Sequence, residues 1–273
     1  MRKFTFITCL ILAIAFVSCE EVVDIDLNTA PPRLVVDAAL TWQKGTAGNG
    51  QYIRLTTTAP FFSDDIPVVS GATVYVTNST NTIFEFIEEP ETGAYICNDF
   101  VPVLNETYVL TVIYGDQIFT ASEVMKPVPE IDDIEQEDEA GFSGEEIELK
   151  ILFTDDAVTS DFYLFSVRPQ SESAPFYQTI DDNFIQGNQS FGLFIVEDLE
   201  SGDLVDVRFS GISEQYHNYL SILLSIAGGN SGSPFQAPPV TVRGNIVNEA
   251  NPQNFALGYF SLSEIDVREV VID

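Results

Sequence analysis

From Val22 the chain alternates, with Val23, Ile25 and Leu27 on one side and Asp24 and Asp26 on the other. That period of two predicts a half-buried strand. Runs rich in Val, Ile, Thr, Tyr and Phe follow at 34–42, 52–58, 72–77, 82–87, 93–97, 107–114 and 117–123, separated by turn signals such as Asn78-Ser79. About seven short strands in about 100 residues predict an immunoglobulin-like sandwich. Gly115-Asp116, between two alternating runs, marks a hairpin. Lys126-Pro127-Val128-Pro129 then removes ladder donors and stiffens the chain, which places a boundary there.

Beyond the prolines an acidic run, 132–146, reads as a solvated linker, and strand character returns at 147–153, 162–167, 191–196 and 204–210. Ser213 is a good N-cap, and Tyr216, Leu220, Leu223, Leu224 and Ala227 recur at helical spacing before Gly228-Gly229 stops the run. This predicts an amphipathic helix, too short and too polar to cross a bilayer, packing on the second sandwich as a connection or lid. Segments 256–260 and 265–272 should pair back into the second sheet. The predicted architecture is all-β, with two immunoglobulin-like or fibronectin-like sandwiches in tandem. The first spans 19–126 and the second 147–273, with a Pro-containing acidic linker at 127–146 and an inserted helix at 213–227.

The N-terminus changes the picture. Arg2 and Lys3 precede an apolar run from Phe4 to Val17 and then Ser18-Cys19. The run is shorter than the ~20 residues a spanning helix needs, and a cysteine after a small residue is the acceptor for lipid attachment, so 1–18 reads as a lipoprotein signal peptide. Phe16 stands where the usual bacterial lipobox has Leu. The rival is ordinary cleavage after Ala13-Ile14-Ala15, which leaves a soluble protein with a free Cys19. Acyl chains on Cys19 would hold the protein on its membrane, because each buried methylene contributes about 0.8 kcal/mol and two chains bind stably.

A net charge of −31 repels nucleic-acid phosphates and anionic headgroups, and a nucleic-acid partner is excluded on that ground. At 45% hydrophobic residues the chain has the material for packed cores. Cys9 leaves with the signal peptide and Cys19 would carry lipid, so Cys97 is left without a disulfide partner. It reads as a small buried hydrophobe, since no basic residue lies near it in sequence.

Candidate chemistry is sparse. His217 is the only histidine, which rules out a histidine-built zinc site, and Ser213 and Ser221, one turn away on either side, lie in no Gly-x-Ser-x-Gly elbow. His217 is expected on the polar side of the helix. Carboxylates are so numerous that Asp64-Asp65, Asp155-Asp156 and Asp181-Asp182 arise readily by chance. Calcium is their most reasonable use, but Asp133, Glu135 and Glu137 meet Asp138 where an EF-hand loop needs Gly. Phe61-Phe62 reads as a partner contact or as a loop folded back under its sandwich, and Gly228-Gly229 and Gly232 follow a helix where a phosphate cradle would precede one. Cys19 is therefore the one assigned site residue. No catalytic, cofactor or metal residue is assigned.

Several segments resemble the Bacteroidota outer-membrane lipoproteins that carry domain of unknown function 4249. The resembling pieces run from Cys19-Glu20-Glu21 and Val23-Asp24-Ile25-Asp26-Leu27 through Leu34-Val35-Val36-Asp37, Ser70-Gly71-Ala72-Thr73-Val74 and Gly93-Ala94-Tyr95. Thr107-Tyr108-Val109-Leu110, Pro127-Val128-Pro129-Glu130-Ile131-Asp132, Gly244-Asn245-Ile246 and Gly258-Tyr259-Phe260 continue the match. The resemblance implies an outer-membrane lipoprotein, at the cell surface or the periplasmic face, encoded beside TonB-dependent receptors of the SusC type. Glu20 and Glu21 resemble the surface-export signal of that phylum. The expected function is a non-enzymatic, lipid-anchored binding or accessory protein of such a receptor in nutrient uptake. The alternative is a structural or adhesive surface lipoprotein without a transporter partner.

Overall fold

The alternating runs form strands, and the polar alternates face solvent. In this computed structural model the described residues are 31–60, 63, 65–141, 144, 146–196, 199–227 and 242–273. The first strands are β1 (Leu34–Gln43), β2 (Gln51–Thr57), β3 (Thr73–Asn78), β4 (Ile83–Glu88), β5 (Ala94–Cys97), β6 (Thr107–Tyr114) and β7 (Gln117–Val124). They are followed by β8 (Ile131–Ala140), β9 (Glu146–Thr154), β10 (Phe162–Pro169), β11 (Phe176–Asp181), β12 (Gln189–Val196), β13 (Leu204–Ile212), the helix α1 (Glu214–Ala227) and β14 (Leu257–Val271). The described residues are mostly β-sheet with one short helix, and Pro32–Asp273 is one compact unit. Among the described residues no helix is long and apolar enough to cross a membrane.

The strands run in the order β11-β10-β13-β14-β1-β2-β5-β4-β3-β6-β7, with β12-β9-β8 as a separate sheet. The long sheet folds over so that its β1-β2-β5 and β4-β3-β6-β7 parts enclose one core, which contains Val36, Leu40, Ile53, Tyr95, Tyr108 and Leu110. A second core, containing Leu149, Phe153, Tyr163, Phe165 and Phe209, lies between β11-β10-β13-β14 and β12-β9-β8. Two layers closing over inward-facing alternate residues make a β-sandwich.

β14 belongs to both cores. Leu257 to Ile265 pair in parallel with Val35 to Gln43 of β1, and Ile265 to Val271 pair antiparallel with Ser210 to Leu204 of β13. Phe260 and Leu262 are buried in the first core and Ile272, just past the strand, in the second. The expectation that 256–260 would pair into the second sheet is thus corrected. The chain from Lys44 to Ala256 lies between these two parallel neighbours and supplies the long crossover that such pairing requires, while α1 and 242–256 lie between the antiparallel neighbours β13 and β14. Gly258 makes the approach possible: its φ is +89°, and a Cβ there would lie 2.0 Å from the Val36 carbonyl oxygen.

The segment expected to be an acidic linker also differs. Ile131–Ala140 is a ten-residue edge strand on β9, with Ile131 buried, Ile134 half-buried and a register shift between Ile131 and Asp133. An edge strand tolerates outward charge, and the irregularity resets its alternation, which hides it among acids. Two buried carboxylates of β14 hold the approach to this strand. Glu264 Oε2 accepts the Val128 N–H at 3.0 Å and the Lys44 ammonium at 3.0 Å, and Asp266 Oδ2 accepts the Ile131 N–H at 2.8 Å. Removing either acceptor leaves a buried donor unpaired. We expect Glu264→Ala and Asp266→Ala each to cost about 1–3 kcal/mol, read from denaturant midpoints at unchanged m-value.

Candidate functional site

Asp155 and Asp161 flank the β9–β10 loop, and Asp182 opens the β11–β12 loop. One oxygen from each carboxylate lies within 4.8 Å of the others. Asp155 is buried and accepts the Tyr163 hydroxyl at 2.6 Å and the Gly187 N–H at 2.9 Å. Asp182, also buried, accepts the Asp161 N–H at 2.7 Å, while the Thr159 hydroxyl donates to the half-buried Asp161. Burial, together with its neighbour Asp155, raises the Asp161 carboxyl above its ordinary range, and burial pushes the Tyr163 phenol strongly upward, keeping it a neutral donor. These oxygens are the ligand type that a hard divalent cation takes.

The crowding has a testable sign. A carboxyl raised in the folded state stabilises the protein below its unfolded pKa and loses that contribution as pH rises through the folded value. Asp161→Asn should therefore raise the Tm in chelator-containing buffer at pH 7, by on the order of 1–2 °C given its partial exposure, and leave it unchanged at pH 3. Thermal melts at the two pH values check this.

A second polar cluster docks α1. Ser213 Oγ accepts the Tyr216 N–H at 3.1 Å, as an N-cap does, and donates to Glu123 Oε2 at 2.8 Å. Tyr259 donates to the same oxygen at 3.3 Å. The rings of Tyr216 and Tyr219 lie 4.5 and 4.8 Å from that of Tyr259, and burial pushes the Tyr216 phenol up to about 12. The helix is thereby pinned to β14.

The residues singled out in the sequence separate on this frame. Cys19, the signal peptide 1–18, Val22 to Leu27, Phe61, Phe62, Asp64, Gly228, Gly229 and Gly232 lie outside the described residues. Contrary to its expected place on the polar side, His217 is half-buried with its ring 5.1 Å from that of Phe162, and its Nδ1 has no hydrogen-bond partner. Ser221 donates to the His217 carbonyl at 2.8 Å and Ser213 caps the helix, so neither hydroxyl is directed at the imidazole. Asp133, Glu135 and Glu137 alternate along β8 and do not form a loop. The chance-level pairs Asp155-Asp156 and Asp181-Asp182 each contribute one member to the carboxylate cluster, with Asp161 as the third. The sequence held no signal for that meeting, because the loops converge only through sheet pairing.

Cys97 is buried, with its Sγ 3.1 Å from Asp99 Oδ1, and burial pushes its thiol up to about 11. At pH 8 the thiolate is then scarcer than in a free cysteine by a factor on the order of 100. Thiol titration of the native protein should find Cys97 unreactive until denaturant is added.

A family model described as "Domain of unknown function (DUF4249)" matches residues 20–269. No curated protein matches the sequence. Among solved structures, a two-fibronectin-type-III segment of chicken tenascin is 15% identical, covering 66% of this chain and 90% of its own at a TM-score of 0.23. A DUF4785 family protein from Legionella pneumophila is 12% identical, with coverages of 65% and 52% and a TM-score of 0.27. The FN1–FN3 domains of chicken CNTN1 are 11% identical, with coverages of 61% and 56% and a TM-score of 0.23. At such low TM-scores the sandwich assignment rests on this chain's own strand order.

Proposed function

The chain belongs to the DUF4249 family, and on that premise we propose that it is a lipid-anchored, non-catalytic binding or assembly subunit of a Bacteroidota outer membrane, working with a TonB-dependent receptor in nutrient uptake. One observation carries the reading: Arg2 and Lys3, the apolar run Phe4 to Val17, and Ser18-Cys19. The body suits such work. Its strand order supports two fibronectin-like sandwiches in tandem, with the last strand of the second also completing the edge of the first. Several apolar side chains stand exposed on sheet faces and loop tips, among them Tyr52, Ile87, Phe191 and Phe184. They suit contacts with neighbours.

Extraction of the native protein in mild detergent, with mass spectrometry of its companions and its own intact mass, tests both halves of the proposal. The expected result is an acylated Cys19 and a stoichiometric TonB-dependent barrel. An acylated protein recovered alone defeats the receptor partnership in favour of a structural or adhesive role, and an unacylated chain defeats the anchor. Thiol counting is a second check, since with Cys97 buried a thiol that reacts in the folded mature protein must be a free Cys19.

A further inference from the structure

β4 and β5 meet only at one end. Ile87 lies opposite Ile96 and Glu88 opposite Tyr95. Ile83 to Phe86 pair with β3 on one side and, among the described residues, with no strand on the other, while Cys97 of β5 pairs away toward Gln51 of β2. The divergence opens a cleft of about 580 Å³ with Ile83, Glu85 and Ile87 on one wall and Ile96, Asn98 and Asp99 on the other. Its apolar side chains are unusually bare, Ile83 being 58% exposed and Ile87 66%. Tyr52, 60% exposed, sits opposite Ile96, so Tyr52, Ile96 and Ile87 make an apolar row across three strands. Glu85, Glu89 and Asp99 stand around the cleft, and no described cation is within ion-pair distance of any of them.

An unpaired strand edge, an apolar floor and an acidic rim select one kind of occupant. A segment in extended conformation supplies the missing backbone partners, its apolar side chains cover the isoleucines, and its cations meet the carboxylates. A second copy of this chain would bring the same carboxylates together, and anionic lipid or nucleic acid would be repelled. We infer that the cleft takes an extended polypeptide segment of a partner, with apolar and Lys or Arg side chains in alternation, added as a strand against β4. This rests on the reading of the chain as a binding subunit and gives the chemistry of what it binds.

The test uses the full native lipoprotein in detergent micelles and two fluorescent peptides, one alternating Ile with Lys and one alternating Ile with Glu. Anisotropy should show salt-sensitive binding of the Ile–Lys peptide and none of the Ile–Glu peptide. Ile87→Asp and Glu85→Lys change exposed side chains, so the fold, checked by circular dichroism, should stay intact while affinity falls at least about tenfold. Hydrogen exchange should slow at the β4 amides when peptide is bound. Failure of the Ile–Lys peptide to bind, or equal binding by the variants, overturns the inference; the latter would mean general attraction to the strongly negative chain. A dimer that Ile87→Asp dissolves would assign the cleft to a second copy and also overturn it. The two proposals fail separately, because native companions recovered without peptide binding sink the cleft alone, and peptide binding without companions sinks the receptor partnership alone.

Discussion

A chain ending at Ala256 should fail to fold in either half. β14 supplies Phe260 and Leu262 to the first core and pairs with nine residues of β1, then pairs with seven residues of β13 in the second. Truncating a buried Phe to Ala costs about 3–5 kcal/mol and a buried Leu about 2–5 kcal/mol, against a typical domain stability of about 5–15 kcal/mol. Removing the whole strand also uncovers Val36, Ala38 and Leu40 beside an open β1 edge, and takes away the Glu264 and Asp266 acceptors that hold Val128 and Ile131. The full-length variant Phe260→Ala is the graded form of the experiment, with an expected loss of about 3–5 kcal/mol in urea. Limited proteolysis of the truncated chain decides the question. A tandem of independent sandwiches would leave a resistant fragment over about 32–126, whereas dependence on β14 leaves none.

That dependence was the part of the fold least legible in the sequence. Strands whose buried and exposed positions alternate strictly were readable to within a residue or two at each end. For example, 147–153 lies within one residue of β9 at each end, and 162–167 starts with β10 and stops two residues short of its end. α1 was readable from Ser213 as cap and from the spacing of Tyr216 and Leu220, because capping and periodicity are local. β8 was missed because seven of its ten residues are acidic or Gln, and its inward positions shift at a bulge. β11 was missed because none of its side chains is fully buried, so FYQTID shows no clean alternation. The full extent of β14 was hidden for a different reason. Its central residues are covered on both faces, so Ser261, Ser263, Glu264 and Asp266 are buried where alternation reads them as exposed. Polar residues there serve hydrogen bonds to other segments, and only the assembled partner shows that. The carboxylate cluster and the β4–β5 cleft are likewise products of pairing, since each joins residues from separate loops or strands.

Coupling between the cores gives the second large effect. Phe209 lies at the centre of the aromatic packing of the second core, with its ring 4.3 Å from Phe165, 4.7 Å from Phe153 and 5.2 Å from Tyr163. Phe209→Ala should cost about 3–5 kcal/mol and lower the Tm by on the order of 10 °C. The chain's single tryptophan, Trp42, packs against the other core, so its fluorescence reports on the half that was not changed. We expect Trp42 fluorescence and far-ultraviolet circular dichroism to shift together in one transition. If the second core melted alone, the first half of β14 would have to stay on β1 across an unfolded loop of well over 100 residues. Closing such a loop costs about 4–5 kcal/mol. The penalty is comparable to much of a domain's stability, and the strap from Lys126 to Ile131 would be released from β14 at the same time. A Trp42 transition that stays at the wild-type midpoint while the circular dichroism splits into two steps would show that β14 joins the two cores without coupling them.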